Sequence, residues 1–407
     1  MSTQGKKFEG ITKKLGLLPQ EQIALAGTKK GKLFIGLPKE RTFEEKRIGL
    51  TPDAVELLIA NGHQVIVEHD AGKACGFFDY MYSEAGAEIT KNTEEVFKAN
   101  IVIKVAPPTL FEIELMQPGH HLISPIHMPS ISKEYLYALM KKKINAIAYE
   151  FLRDESGNYP FVSAMSEIAG SNAVLIGAEL LSNAHNGKGL LLGGISGVPP
   201  AKVVIIGAGV VGTFASRAAI GLGALVSIFD NDVHRLSDLQ NNIGQRVFNS
   251  VITPEVLKRE LEQADLMIGA IHSKTGRTPV IVSEEMIASM KAGSVVIDVS
   301  IDQGGCFETS EMTTLKKPTF VKHEVIHYCV PNIPSRVSQT ASYAFSHLLT
   351  PILFKAHEHG GMESWVRMDR GTCLGLYTYN GHLTQRNLSQ IFDIKFTNLD
   401  LIFSAGI

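Results

Sequence analysis

Cysteine is scarce and scattered in this chain. The 407 residues include four cysteines, and no two have the C-x-x-C spacing of a zinc or redox motif; they are Cys75, Cys306, Cys329 and Cys373. The sequence therefore indicates neither a disulfide framework nor a metal site. We expect a protein of the reducing cytoplasm.

An excess of charge of one sign is also absent. The 39 lysines and arginines nearly balance the 41 aspartates and glutamates, and the formal net charge is −2. Such a chain has no long-range field to gather nucleic acid or an anionic membrane, so we expect neither as a partner. Residues 1–31 lack the apolar core of a signal peptide, and we expect no later stretch to stay apolar long enough to span a bilayer. Small-molecule chemistry is the better expectation.

The clearest motif lies in residues 201–230, AKVVIIGAGVVGTFASRAAIGLGALVSIFD. A β-branched run predicts a strand, which leads into Gly207-x-Gly209-x-x-Gly212, a helical pattern and a second strand that ends at Asp230. This order of strand, glycine turn, helix, strand and acid is typical of a dinucleotide-binding unit. The free N–H groups at the start of the helix would face a pyrophosphate.

Asp230 bears on which dinucleotide is bound. A carboxylate at this place accepts hydrogen bonds from the adenosine ribose and repels a 2′-phosphate, which favours NAD over NADP. Arg235 follows soon after in the sequence and could instead accept such a phosphate.

Strands and helices alternate on both sides of this motif, a pattern typical of parallel sheets covered by helices. We predict an α/β fold with two doubly wound, Rossmann-like domains, separated by a cleft and linked by two long helices. Residues 1–31 are predicted to be an appendage with a short helix near 19–25. Residues 32–160 and 338–407 are predicted to form the substrate domain, and residues 161–337 the nucleotide-binding domain.

Three basic side chains follow predicted strands of the substrate domain: Arg47, Lys104 and His127. Ligands bind beyond the carboxyl ends of such strands, so these groups could hold a carboxylate, polarise a carbonyl and move a proton. Each also has a structural alternative. Arg47 could pair with Glu44 or Glu45 in a solvated loop, Lys104 could extend to solvent, and His127 could be one of many satisfied histidines. For proton transfer, we expect the neighbouring lysine to lower the pKa of His127.

A fourth candidate, Asp302, lies in the segment SIDQGG after an apolar strand of the nucleotide-binding domain. A carboxylate there could orient a water or an amine beside a nicotinamide ring. The alternative is an ordinary aspartate in a glycine turn.

Longer motifs around these residues resemble the alanine dehydrogenase family and its relative, the soluble NAD(H)-binding part of proton-translocating transhydrogenase. The motifs are PKE-x-x-x-x-EKRIGLTP from Pro38, the strand ending at Lys104, IHMP around His127, MSEIAG from Met165, the glycine fingerprint, DVSIDQGGCFE from Asp298 and YCVPNIPS from Tyr328. The resemblance implies that Arg47 and Lys104 hold the substrate carboxylate and carbonyl, and that His127 and Asp302 are catalytic. Transhydrogenase subunits lack the histidine and this acid.

The resemblance also implies the cofactor and its contacts. The cofactor would be NAD, and the family is typically hexameric, so we expect a homo-hexamer. The expected cofactor-binding residues are Ser166, Gly207, Gly209, Val210, Val211, Gly212, Asp230, Asn231, Arg235, Ile271 and Asn332.

The activity implied by the resemblance is reversible oxidative deamination of L-alanine to pyruvate and ammonium, with NAD as the oxidant. Two alternatives remain open: an NAD-binding transhydrogenase-like protein without amino-acid turnover, and an opine or saccharopine-type dehydrogenase. The run after Lys104 reads Val-Ala-Pro-Pro and lacks the charge pair of the family's K-V-K-E-P. A polar run at residues 271–279 replaces an apolar, glycine- and alanine-rich loop. These departures concern substrate preference more than reaction type.

Overall fold

The computed structural model of the protein describes residues 31–42, 44–128, 131–273 and 276–404. The helix predicted near residues 19–25 lies outside the described residues, as does the rest of the predicted appendage except Gly31. The Gly31 N–H donates to the His357 carbonyl (2.9 Å), so the described chain begins against the end of a long helix.

The first part of the described chain alternates short strands with helices. A helix begins at Pro52 after Thr51. The sequence pattern Thr-Pro predicts an N-cap at Thr51, but the Thr51 hydroxyl bonds to Ser346 (3.2 Å) instead of capping the helix. The helix at Leu110 was not predicted, although Thr109 and Glu112 form a capping box at its start. In chain order the elements are β1 (Phe34–Leu37), α1 (Pro52–Ala60), β2 (Gln64–Glu68), α2 (Asp79–Glu84), β3 (Glu88–Thr90), α3 (Thr93–Val96), β4 (Ile101–Ile103), α4 (Leu110–Leu115), β5 (His121–Ser124), α5 (Lys133–Lys141), β6 (Asn145–Ala148) and α6 (Pro160–Leu181).

The middle of the chain repeats this alternation around the glycine motif. The strand, helix and second strand predicted between residues 202 and 229 are all present, with the helix starting at Val210. The elements are β7 (Lys202–Ile206), α7 (Val210–Gly221), β8 (Leu225–Phe229), α8 (Val233–Ile243), β9 (Phe248–Ser250), α9 (Pro254–Glu262), β10 (Leu266–Gly269), α10 (Glu284–Ala288), β11 (Val295–Asp298), β12 (Thr319–Lys322) and β13 (Val325–Tyr328).

After β13 the chain returns to the first sheet along a long helix. The last elements are α11 (Ser338–Glu358), α12 (Met362–Met368), α13 (Arg370–Cys373), β14 (Leu376–Tyr379), β15 (His382–Leu383), α14 (Arg386–Phe392) and α15 (Leu399–Ser404). β14 pairs antiparallel with β6, and β15 pairs antiparallel with β14. These two strands were not predicted, because the tail shows no clear apolar period.

Two sheets organise the described residues. The first has the order β15-β14-β6-β5-β4-β1-β2-β3, and the second has the order β12-β13-β11-β10-β7-β8-β9. In each sheet the six parallel strands follow the doubly wound order 3-2-1-4-5-6. The first three strands are added toward one edge of the sheet, and the last three are added toward the other edge, starting beside the first strand. The prediction of an α/β fold with two doubly wound, Rossmann-like sheets is confirmed.

Each sheet is buried on both faces, as parallel sheets require. Successive residues of β4 enter different cores, because side chains alternate across a strand: Ile101 and Ile103 face one cluster, and Val102 faces another. In β7, Val203 and Val204 divide in the same way. Each fully buried side chain of this kind contributes roughly 1.5–3 kcal/mol to stability.

Helix α6 leads from the first sheet to the second. Among the helices of the described residues, α6 passes the test of length and apolar composition for a membrane-spanning helix. The expectation that no stretch stays apolar over such a length was therefore wrong. The apolar residues have another use here, because Ala169, Val174 and Leu181 are buried in the core beneath the second sheet.

Candidate functional site

Polar residues collect where each sheet reverses its strand order. In the first sheet β1 neighbours β4, and the segments that follow these strands carry Arg47 and Lys104. In the second sheet β7 neighbours β10, and the segments that follow them carry the glycine turn and Ile271. Such reversals open a crevice at the carboxyl edge of a sheet, which is where α/β proteins bind ligands.

The three glycines of the turn have different surroundings. Gly207 has a φ of +107°, and a Cβ there would lie 2.3 Å from the Ala270 carbonyl oxygen. A Cβ on Gly212 would lie 1.8 Å from the Gly207 carbonyl oxygen. A Cβ on Gly209 would meet no atom within 4 Å. The first and third glycines therefore close the turn, and the second borders open space at the start of α7, where a phosphate could approach the backbone.

The start of α7 offers further groups for a dinucleotide. Val210 and Val211 form its first turn, and Val210 is 40% exposed. Asp230 is buried at the end of β8 and accepts N–H groups of Ala208 (2.7 Å) and Asp232 (2.8 Å). Each carboxylate oxygen has a second lone pair, so a ribose hydroxyl could still bind there.

The remaining predicted cofactor residues lie on neighbouring segments. Asn231 accepts the Ile252 N–H (3.3 Å), and the Ile271 N–H donates to Ser300 (3.0 Å). Arg235 is ion-paired with Asp232 (3.6 Å). Burial lowers the pKa of His272, and the Arg235 charge lowers it further, so Arg235 faces the segment after β10. Ser166 is half-buried on α6.

Arg47 is buried and bound on several sides. Its guanidinium donates to both carboxylate oxygens of Glu45 (2.8 and 2.6 Å), to the Asn332 amide oxygen (2.7 Å) and to the Met165 sulfur (3.2 Å). Burial would raise the pKa of Glu45, but Arg47 outweighs it and holds that pKa at about 2. The pairing with Glu45 is thus present, but the solvated loop considered from the sequence is wrong, because Arg47 is only 6% exposed.

Asn332 comes from the other side of the cleft. Its side chain bridges Arg47 and Glu45, donating to the latter at 2.8 Å, while its backbone N–H bonds to Asp302. Its φ of +58° lies in the left-handed region, which asparagine tolerates better than most residues. Predicted as a cofactor contact, Asn332 here lies between the Arg47–Glu45 pair and Asp302.

Lys104 is 1% exposed, so the alternative in which it reaches solvent is wrong. Its ammonium lies 2.9 Å from a Glu40 oxygen and 3.2 Å from a Glu112 oxygen. Burial would lower the pKa of Lys104, but the two carboxylates outweigh it and raise that pKa, so the residue stays charged.

His127 and Asp302 face each other across the cleft. Burial lowers the pKa of His127, and the Asp302 charge raises it in part. Asp302 is reachable by solvent in the cleft, but enough protein surrounds it that burial raises its pKa, while His127, the Asn332 N–H and Arg47 lower it. The expectation that a lysine lowers the pKa of His127 is wrong; loss of hydration does so.

Four buried acids were missed or underrated. Glu40, Glu45 and Glu112 hold the two cations, and only the T-x-x-E pattern at Thr109 could have indicated a buried place for Glu112. Glu150 accepts the Ile126 N–H beside His127, and burial raises its pKa to about 7. No sequence pattern marks Glu150.

Two alanine variants should separate nucleotide binding from folding. Gly209→Ala should fold normally but weaken NADH binding about tenfold, because its methyl group would occupy the open space beside the first turn of α7. Gly212→Ala should lower the free energy of unfolding by about 3 kcal/mol, because no room exists for its methyl group. NADH fluorescence titration and thermal melting measure the two effects. Equal NADH affinity in Gly209→Ala and the unchanged protein would place the phosphates elsewhere.

The fold and the site together define a dehydrogenase: a Rossmann-type nucleotide-binding sheet faces a second α/β sheet whose cations and imidazole line the cleft between them. Family models confirm this class. The model for the N-terminal domain of alanine dehydrogenase/PNT matches residues 36–169, and that for the C-terminal domain matches residues 173–386. The chain belongs to the alanine dehydrogenase/PNT family.

Individual relatives agree with this assignment. Alanine dehydrogenase 2 of Staphylococcus aureus (strain USA300) is 39% identical over 367 residues, which cover 90% of this chain and 98% of the relative. The solved structure of an L-alanine dehydrogenase superposes with a TM-score of 0.84 at 37% identity and covers 89% of this chain and 99% of its own. A transhydrogenase from Sinorhizobium meliloti, at 23% identity, shares the fold with a TM-score of 0.74 over 86% of this chain and 100% of its own.

Proposed function

We propose that the protein catalyses the NAD-dependent oxidative deamination of L-alanine, and the reverse amination of pyruvate. The balanced reaction is alanine + NAD⁺ + H₂O giving pyruvate, NH₄⁺, NADH and H⁺. The observation that carries the proposal is the meeting of groups from two sheets. Arg47, from the first, donates to Asn332, from the second (2.7 Å), and His127 and Asp302, one from each side, shift each other's pKa. The alanine dehydrogenases that resemble the chain over nearly their whole length support it.

The residues present fit a nicotinamide dinucleotide. Open space at Gly209 would admit the pyrophosphate, and Asp230 would accept the adenosine ribose. Asp302 lies on the segment after β11 and so beside the expected place of the ring. When bound, the nicotinamide supplies the oxidant that takes the Cα hydrogen with its electron pair.

The first sheet would hold the substrate. Arg47 provides a guanidinium for the alanine carboxylate, and Glu45 fixes the plane of that guanidinium. Lys104, kept charged by two carboxylates, would donate to the oxygen that becomes the pyruvate carbonyl. Both cations are held before substrate arrives, so little rearrangement is needed for them to act.

Proton transfer would fall to His127 and Asp302. Because burial lowers the pKa of His127, the imidazole is neutral at pH 7 and can accept a proton from the alanine ammonium or from the water that attacks the iminium carbon. Asp302 would orient that water and stabilise the imidazolium that forms. Ammonium then leaves as the carbinolamine collapses to pyruvate.

A substrate panel tests the proposal. NADH formation should be fastest with L-alanine, and NAD should exceed NADP by roughly tenfold or more, because Asp230 would repel the extra phosphate. Binding of NADH without turnover of any amino acid would favour a transhydrogenase-like protein. Turnover of N-carboxyalkyl amino acids alone would favour an opine or saccharopine-type dehydrogenase, and faster turnover with NADP would give Arg235 the role of a phosphate ligand.

We also propose the remaining assignments made from the sequence. Residues 32–160 with 338–407, of which the structure describes 338–404, act as the substrate domain, and residues 161–337 act as the nucleotide-binding domain. The pairing of β14 and β15 into the first sheet supports this division. A cytoplasmic homo-hexamer is proposed from the resemblance, and light scattering measures its size.

A further inference from the structure

Asp298 is a fully buried acid outside the groups used so far. It is the last residue of β11 and is 0% exposed. Its carboxylate accepts hydrogen bonds from the Ser300 N–H (2.9 Å), the Cys306 N–H (3.1 Å) and the Ser310 hydroxyl (2.5 Å). All three donors are neutral, so the loop holds this carboxylate with hydrogen bonds and not with a charge.

The loop held in this way carries Asp302. Residues 300 and 306 are the two anchored ends, and Asp302 lies between them in a short 3-10 turn, Ile301–Gln303. Gly305 passes directly over the carboxylate: its φ is +81°, and a Cβ there would lie 2.5 Å from an Asp298 oxygen. The chain thus folds around Asp298, and the carboxylate sets the shape of the loop.

The same anchor reaches the segment after β10. The Ser300 hydroxyl accepts the Ile271 N–H (3.0 Å), and Gln303 both accepts the Ser273 N–H (2.9 Å) and donates to the Ser273 carbonyl (3.1 Å). Displacement of the loop would therefore disturb the cofactor side of the cleft together with Asp302.

We propose that Asp298 is a positioning residue: its ionised carboxylate holds the 300–306 loop so that Asp302 stays opposite His127. This inference rests on the proposed function, in which Asp302 and His127 share the proton-transfer step. Asp298 itself touches neither substrate nor cofactor, and it acts through the two backbone N–H groups that it binds.

Ionisation of Asp298 should then be visible in catalysis. Burial raises its pKa to about 6, and the Ser310 hydroxyl and the two N–H groups offset part of that rise. Among the described residues, the titratable groups that face it are the thiols of Cys306 and Cys329, and Asp298 takes part in no ion pair there. Because folding raises the pKa from 3.8 to about 6, ionisation of Asp298 costs stability: the cost grows as the pH rises from about 4 and is complete above about pH 6. Protonation below about pH 6 removes the charge that the two N–H groups bind and weakens these two anchors, although the fold as a whole loses no stability there, so kcat should fall.

Ser310 offers a test that leaves the reacting groups in place. Ser310→Ala removes one donor from Asp298, so the acid-side fall of kcat should move up by about one pH unit, whereas Ser310→Thr keeps the hydroxyl and the wild-type profile. Asp298→Asn should lower kcat about tenfold or more at pH 8, because one anchor meets an amide N–H instead of an oxygen. NADH binding should weaken as well, because the same loop holds the segment after β10. Thermal melting checks that each variant is folded.

A second readout does not depend on turnover. Asp302 raises the pKa of His127, so loss of its position in Asp298→Asn should lower that pKa, as followed by NMR of labelled histidine. A matching acid limb in Ser310→Ala and wild type, or an unchanged His127 titration in Asp298→Asn, would overturn the proposal. If the wild-type protein turned over no amino acid, but Asp298→Asn still lowered the pKa of His127, the proposed function alone would be rejected.

Discussion

Replacement of His127 by alanine should lower kcat for alanine oxidation by about a thousandfold or more and leave NADH binding within about twofold of wild type. The imidazole is the neutral base of the proposed mechanism, and the dinucleotide groups lie on the other sheet. Removing the imidazole therefore removes proton transfer without touching the glycine turn. Steady-state rates and NADH fluorescence titration measure the two quantities separately.

The role of His127 as a base also predicts in which direction activity changes with pH. A base works only when it is deprotonated, so alanine oxidation by wild type should be present above the pKa of His127 and lost below it. Because burial lowers that pKa, the loss should begin below the ordinary histidine range. His185→Ala, at an exposed histidine, is the matched control and should change neither rate nor profile. Wild-type turnover in His127→Ala would remove the imidazole from the mechanism.

Replacement of Lys104 by methionine should have the largest effect on stability. Glu40 and Glu112 would remain buried without their cation. Removing one partner from buried ion pairs of this kind lowers the free energy of unfolding by about 3–5 kcal/mol. Activity should be lost as well, because Lys104 is the proposed donor to the substrate carbonyl. Chemical denaturation followed by circular dichroism measures the first effect.

Further variants separate charge from packing. Adding Glu40→Gln and Glu112→Gln to Lys104→Met should recover most of the stability but none of the activity, since no unpaired charge is then buried. Lys142→Met is the surface control: its pair with Glu114 (3.2 Å) is partly exposed and should cost less than about 1 kcal/mol. If Lys104→Met were as stable as Lys142→Met, the buried three-charge arrangement would be wrong.

The sequence predicted the fold and the positions of the site residues because both depend on local patterns. Apolar runs of strand length, the glycine turn and the acid at Asp230 follow one another along the chain, so their order indicates two doubly wound sheets. The polar residues at strand ends could be placed for the same reason. Arg47, Lys104, His127 and Asp302 were placed by this rule, and their catalytic roles stay predictions.

What the sequence could not provide is the identity of partners brought from far along the chain. Three strands and three helices separate Glu40 from Lys104 along the chain, and Asn332 comes from the opposite sheet to meet Arg47. The cause of the lowered pKa of His127 was misread for this reason, because the degree of burial depends on tertiary packing. Asp298 was read only as part of a motif, since its three donors become neighbours only when the loop folds.

Asn332 constrains what evolution can place at its position. The left-handed backbone there disfavours branched residues, glycine would keep that backbone but supply no amide, and aspartate would set a second negative charge against Glu45. One side chain must satisfy a donor, an acceptor and an unusual backbone angle at once. Few other residue types can therefore replace Asn332, even though it carries no charge and transfers no proton.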